Sequence, residues 1–157
     1  MKEEVEKELV EAIKSKFPDV IEEAEVLRSK RISVTVKVDK ILEVARFIRD
    51  ELGFDYPISA GAVDYIKEKQ FQVIYYLLSS KKKVVLMLRV NIPRDRPIAP
   101  SLTPVWSAMD FHERETWEMF GITFKGHPNL TRLLLPEDWE GGYPLRKDFK
   151  LSSKEGS

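Results

Sequence analysis

The stretch at residues 57–92, PISAGAVDYIKEKQFQVIYYLLSSKKKVVLMLRVNI, decides the fold. It holds three strand-like runs, 57–66, 71–79 and 84–92, rich in β-branched and aromatic residues. The connections at 67–70 and 80–83 are short and polar, as in antiparallel hairpins. Lys81–Lys83 is then a solvated hairpin tip. Tyr75 and Tyr76 are adjacent in one strand, so they point to opposite faces.

On the N-terminal side, Val5, Leu9, Ala12, Ile13 and Phe17 recur at helical spacing, predicting an amphipathic helix over 3–17 that Pro18 ends. Ile32, Val34, Val36 and Val38 alternate with Ser33, Thr35 and Lys37, the pattern of a half-buried strand. Asp39 is placed to cap a helix over 40–52, with Ile41, Val44, Ala45, Ile48 and Leu52 on its apolar face and Gly53 as its stop. Helices on one face of a mainly antiparallel sheet is the economical packing of these elements, an α+β two-layer sandwich. The repeated βαβ units and glycine-rich phosphate turn of a Rossmann fold are missing from the pattern.

On the C-terminal side, the proline-rich run 93–104 reads as an extended connector. Thr103-Pro104 reads as a helix start with threonine as cap, and the helix runs to Phe120 and stops at Gly121. Residues 122–157 show no periodic pattern. The chain therefore divides into an α+β domain over 1–121 and an extended tail over 122–157. Phe124, Leu130, Leu133, Leu134, Leu135, Trp139, Leu145 and Phe149 are too many large apolar residues for a free tail. They need a surface, on the domain or on a partner.

Composition narrows the chemistry. The chain has 157 residues, 26 basic against 26 acidic, and no cysteine. That length suits one domain able to bury its own core. Balanced charge gives no overall drive toward nucleic acid. Without cysteine there are no disulfides, thiolate nucleophiles or thiolate-ligated clusters in this chain. The first residues lack the apolar core of a secretion signal, and no run reaches the length of a membrane span. Asparagine and glutamine total four, and lysine and glutamate dominate the charges, a thermophile tendency.

Several constellations invite a chemical reading. Helical spacing puts Trp106, Asp110, Glu113, Trp117 and Phe120 on one side. An acid–base pair between two indoles is the active reading, with His127 as a third group. Core aromatics with Asp110–Arg114 and Arg114–Glu118 ion pairs is the structural reading, and the spacing favours it. His112 and His127 lack metal-site spacing, and a ring nitrogen bonded to backbone near the Gly126-His127-Pro128 turn is preferred for His127. Arg89, Arg94 and Arg96 form a basic cluster that an RNA-binding sheet would use. No catalytic, cofactor-binding or metal residue is assigned.

Residues 113–149 are more specific. Glu113-Arg114-Glu115, Met119-Phe120-Gly121-Ile122, Phe124, Gly126-His127-Pro128, Leu130, Arg132-Leu133-Leu134, Pro136-Glu137-Asp138-Trp139 and Pro144-Leu145-Arg146-Lys147-Asp148-Phe149 follow in order. This resembles the signature of the C-subunit family of NADH–quinone oxidoreductase, respiratory complex I. Counterparts occur in membrane-bound nickel–iron hydrogenases, formate hydrogenlyases and archaeal sulfur reductases. Glu118 stands where the family commonly has Asp, and Gly141-Gly142-Tyr143 is one residue longer than usual. The resemblance implies a non-catalytic structural subunit of the hydrophilic arm. It would clamp the large hydrogenase-like catalytic subunit beside a small iron–sulfur subunit, in an archaeal hydrogenase or sulfur reductase or, alternatively, in a quinone-reducing complex I. It implies iron–sulfur clusters and a nickel–iron centre in those partners, none in this chain, no nucleic acid, and a peripheral place on the cytoplasmic side of the membrane. It also implies that Trp139 and residues 145–149 face the partner, that Arg132, Arg146 and Lys147 pair with its carboxylates, and that Trp106 and Phe120 face the local core.

The lysine/glutamate bias carries its own expectation: thermal unfolding followed by circular dichroism gives a midpoint above the mesophile range of about 45–65 °C.

Overall fold

The computed structural model describes residues 3–151. Helix α1 (Glu4–Lys16) opens it, with Leu9, Val10 and Ile13 buried, Glu4 and Glu6 in its first turn and Lys14 and Lys16 in its last. Those charges complement the helix dipole. Strands β1 (Ile21–Arg28) and β2 (Arg31–Val36) form an antiparallel hairpin. A 3₁₀ turn (Val38–Lys40) leads into α2 (Ile41–Asp50), which buries Ile41, Val44, Ala45 and Ile48. Then come β3 (Tyr56–Tyr65), β4 (Gln70–Ser79), β5 (Val84–Pro93), β6 (Ile98–Pro100), α3 (Met109–Phe120) and β7 (Thr123–Lys125).

The main sheet has the order β1-β2-β5-β4-β3. Only β2–β5 is parallel within it, so the sheet is antiparallel-dominated, and the fold is the expected α+β sandwich. One face carries Ile32, Val34 and Val36 from β2, Leu86, Leu88, Val90 and Ile92 from β5, and Phe71, Val73, Tyr75 and Leu77 from β4, all buried. They join the buried residues of α1, α2 and α3 in one apolar cluster. Each fully buried side chain of this kind adds about 1.5–3 kcal/mol. The other face has no helix against it and displays Ser33, Thr35, Gln72, Ile74, Tyr76, Arg89 and Asn91, registered across the strands. Tyr75 is buried in the core and Tyr76 lies half-buried on the opposite face, as their adjacency requires.

Four local readings differ from the structure. Strand β1 was absent from the sequence pattern. Its two register irregularities, between Ile21 and Glu23 and between Val26 and Arg28, break the period of two by which strands are read. Strand β2 ends at Val36 and is buried throughout Ile32–Val36 rather than on alternate residues, because β1 and β5 flank it on both sides. Asp39 does not cap α2: it sits inside the 3₁₀ turn, and no side chain caps the helix. Thr103 does not cap α3, which begins at Met109 after turns at 102–108. Those turns are held by Arg49 donating to the Val105 carbonyl at 2.7 Å and by the Trp106 indole donating to the Phe54 carbonyl at 3.0 Å. The hydroxyl of Thr103 is bonded to that of Ser101 instead.

The connector and the first residues past α3 also pair: β6 and β7 run parallel, with Ala99 beside Phe124. They flank α3 as a small βαβ unit. Gly121 ends the helix with φ +79°, the left-handed geometry that favours glycine.

At Gly121 a Cβ would also stand 2.6 Å from the Tyr143 ring and 2.8 Å from the Arg146 guanidinium. Gly121→Ala is expected to lose about 1–3 kcal/mol in urea unfolding. Gly61, in mid-strand with open space where a Cβ would stand, gives the contrast: Gly61→Ala holds or gains up to about 0.5–1 kcal/mol.

Candidate functional site

Helix α3 is a spool on which the flanking segments are tied. Its inward carboxylate, Glu113, is fully buried. It accepts the Tyr75 hydroxyl at 2.8 Å, the Ser101 hydroxyl at 2.6 Å and the Leu102 backbone N–H at 2.8 Å. Burial raises its pKa above the ordinary carboxylate range, and these three donors only partly offset that. Burial also pushes the Tyr75 phenol well up, and the Glu113 charge adds to it. The hydroxyl therefore stays a donor.

Farther along α3, Glu118 is buried and faces the chain that returns after β7. Its carboxylate accepts the backbone N–H groups of Leu133, Leu134 and Leu135. Arg114 lies between these two acids, but neither expected ion pair forms. It donates to the Thr131 carbonyl and, at 2.7 Å, to the Thr131 hydroxyl. The helix spacing was right and the partners were not, because each polar side chain meets an unsatisfied group from the returning chain before it meets its own helix neighbour.

His127 is held as expected, by backbone. Its Nδ1 accepts the Asn129 N–H at 2.9 Å, so Nε2 carries the proton and donates to the Asp110 carbonyl at 3.0 Å. The Asp110 carboxylate is 3.3 Å from the same nitrogen. Asp110 and Glu113 do not share a cleft: one reaches His127 and the other Tyr75 and Ser101. Among the described residues no three His, Asp or Glu side chains gather as a metal-ligand set, and no helix is long and apolar enough to cross a membrane.

The returning chain continues as a strap. Arg132 donates to the carbonyls of Pro136 and Trp139, and the Trp139 indole donates to the Gly142 carbonyl at 2.8 Å. A Cβ on Gly141 would run into the Trp139 ring, so glycine there lets the indole lie on the backbone. The Leu145 N–H donates to the Met119 carbonyl at 3.0 Å. Arg146 donates to the Phe120 carbonyl at 2.6 Å, where α3 leaves its last carbonyls open. Its guanidinium stacks 4.5 Å from the Tyr143 ring and 5.2 Å from Phe71. The Phe71 and Phe120 rings meet edge-on at 5.9 Å beneath it. The strap ends on Asp64, which accepts the Lys147 N–H at 2.8 Å and a two-pronged contact from Arg94. Arg94 also reaches Asp148 at 3.0 Å. Burial alone would raise the Asp64 pKa, but the Arg94 and Lys147 hydrogen bonds outweigh it and hold it below the ordinary range.

The residues picked from sequence thus sort into two sets. Glu113, Arg114, Phe120, Gly121, Gly126, His127, Arg132, Arg146 and Asp148 have partners or turns within the chain. Leu134 and Leu145 are 62% and 55% exposed. Leu133, Trp139, Pro144 and Phe149 are half-buried, Glu115 is half-buried on α3, and Pro128 and the Lys147 side chain are exposed. Trp106 and Phe120 lie in the core. Arg89, Arg94 and Arg96 are not gathered: Arg89 is on the open sheet face, Arg94 is bound to Asp64, and Arg96 is exposed. Asp64, Glu118 and Ser101 were missed as anchors. Asp64 did carry a signal, as the one charge in the ten residues of β3.

Residues 34–155 match the family model described as the respiratory-chain NADH dehydrogenase 30 kDa subunit. The C subunit of NADH-quinone oxidoreductase from Roseiflexus sp. is 43% identical over 150 residues, covering 94% of this chain and 85% of the relative. The C subunit of the F420H2 dehydrogenase from Methanosarcina mazei is 39% identical, covering 90% of each. Among solved structures, a chain of the membrane-bound sulfane sulfur reductase, an archaeal respiratory membrane complex, superposes with TM-score 0.83 at 30% identity over 94% of this chain and 86% of that one. A trypsin-resistant fragment of Nqo5 shares the fold, with TM-score 0.68 at 24% identity over 80% of this chain and 99% of the fragment.

Glu113 sets a pH dependence. Because its folded pKa lies above the ordinary value of 4.5, the native state binds the proton more tightly. Its contribution is present below that value and falls as pH rises through the raised one. In urea unfolding across pH 4–8, Glu113→Gln removes that slope, and Glu113→Ala costs about 3 kcal/mol or more by leaving buried donors unanswered.

Proposed function

This chain belongs to the family of the respiratory-chain NADH dehydrogenase 30 kDa subunit, and we propose that it is the non-catalytic clamp on the large, hydrogenase-like catalytic subunit of such a complex. The observation that carries the reading is the strap. Its backbone and the Arg132, Arg146 and Asp148 side chains are tied within the chain, while Leu134, Tyr143, Leu145 and Leu151 stay exposed among charged residues such as Glu137, Asp138 and Glu140. Exposed large apolar side chains on one ordered segment, together with the half-buried Trp139, are the composition of a docking patch. The clusters and any nickel–iron centre then belong to the neighbours, and the chain meets the membrane on its cytoplasmic side only through them.

The likeness to the archaeal sulfur reductase chain in length and shape favours a hydrogenase- or sulfur-reductase-type complex. The 43% identity to the Roseiflexus NADH-quinone oxidoreductase relative supports the second reading, a quinone-reducing complex I.

The experiment is affinity purification of the tagged chain from detergent-solubilised membranes of its source, with mass spectrometry of what accompanies it. A large subunit with paired Cys-x-x-Cys motifs marks the hydrogenase type, and one lacking the full pairs marks the sulfur- or quinone-reducing type. The variant Leu134→Asp with Leu145→Asp is expected to fold within about 0.5 kcal/mol of wild type, as exposed substitutions do, and to lose the large subunit. Retention of that subunit at wild-type stoichiometry refutes the strap as the docking element.

A further inference from the structure

The uncovered face of the sheet holds a concave groove of about 500 Å³. It lies across the sheet from the helices and strap. Its floor is built: Arg89 donates to the Ser33 hydroxyl at 2.9 Å and the Gln72 side-chain oxygen at 2.9 Å, and Gln72 donates to Asn91 at 3.0 Å. A third contact runs from the guanidinium to the Met87 sulfur at 3.5 Å. Arg89 is the groove's one cationic lining residue, and it is turned down into these partners.

The wall is different. Glu22, Glu23 and Glu25 on β1 line the groove with exposed side chains and make no ion pair or hydrogen bond among the described residues. The sheet register puts Glu23 across from Thr35 and Glu25 across from Ser33, on the same face. Thr35 is nine-tenths buried, and its side chain, which lines the groove, has no hydrogen-bond partner among the described residues. The hydroxyl is not sealed from solvent, and it meets water or a ligand from the groove side. Here the acceptors Glu23, Glu25 and Thr35 converge on a space that the chain itself leaves unfilled.

We infer that this groove receives a lysine-bearing extended segment of a neighbouring subunit, with the ammonium set among Glu23, Glu25 and Thr35. Charge complementarity chooses the occupant. An anion approaching Arg89 passes three carboxylates, whereas a cation meets three acceptors at the mouth and an occupied guanidinium below. An ammonium is compact and has three rotatable donors, matching three acceptors, where a planar guanidinium fork suits one carboxylate. The inference rests on the chain being part of a multi-subunit complex, and it adds a second contact on the side opposite the strap.

The test is carboxylate labelling with glycine ethyl ester and carbodiimide, on the chain alone and on the complex purified through it, with the same complex also treated with carbodiimide alone to join contacting carboxylates and lysines. The expected result is loss of label at Glu23 and Glu25 in the complex, with a cross-link from one of them to a lysine of another subunit. In the variant Glu23→Gln with Glu25→Gln, that cross-link disappears while the strap's partner still co-purifies. Labelling of both glutamates in the complex as in the free chain overturns the inference and leaves the strap reading standing. Protection without a lysine cross-link overturns the cationic occupant. Failure of any subunit to co-purify overturns both.

Discussion

Two buried carboxylates on one helix set the terms for the rest of the molecule. Glu113 is answered by the backbone N–H of Leu102, from the segment before α3, and Glu118 by the N–H groups of 133–135, from the segment after it. A buried carboxylate without donors is costly, and so is an irregular segment whose N–H groups find no acceptor. Each difficulty resolves the other. The helix fixes where both flanks run, and β6 and β7 close around it because those flanks have already been brought together.

The strap follows the same economy. Residues 126–149 have no ladder of their own, so their polar groups are satisfied one at a time by α3 and the ends of β3 and β5. Arg114, Glu118, the Met119 and Phe120 carbonyls and Asp64 serve in turn. Arg146 shows how tightly this is done, closing the C-terminal end of α3 while its charge lies on the Phe71 and Tyr143 rings. What faces outward includes large apolar side chains, Leu134, Tyr143 and Leu145, set among charged ones.

Much of the fold was legible because its strands obey their period. The alternation in β4 and β5 and the polar turns around them define the sheet, and Gly121 defines the end of α3. The misses have physical causes. Bulges hid β1, and the start of α3 was moved by contacts from Arg49, Phe54 and Glu113 that no local pattern records. The signature at 113–149 spans the residues that tie the returning chain to α3, but spacing alone does not give their partners. Sequence spacing pairs Arg114 with its helix neighbours, whereas in three dimensions the nearer partner is Thr131. Asp64, isolated in an otherwise uncharged strand, is the anchor that a local pattern does mark.

In the docking role proposed above, a strap already tied at this many points changes how association proceeds. From composition alone, the tail would have to be ordered at the moment of binding, with slow, search-limited docking and a large loss of chain entropy. Pinned to α3, it presents one shape beforehand. Encounter then resembles the meeting of two rigid bodies, with a faster approach to the bound state and a smaller heat-capacity change than coupled folding gives. The hydrogen bonds to Glu118 and Asp64 fix the path of the chain, and in the proposed docking role they would fix the shape it presents to a partner.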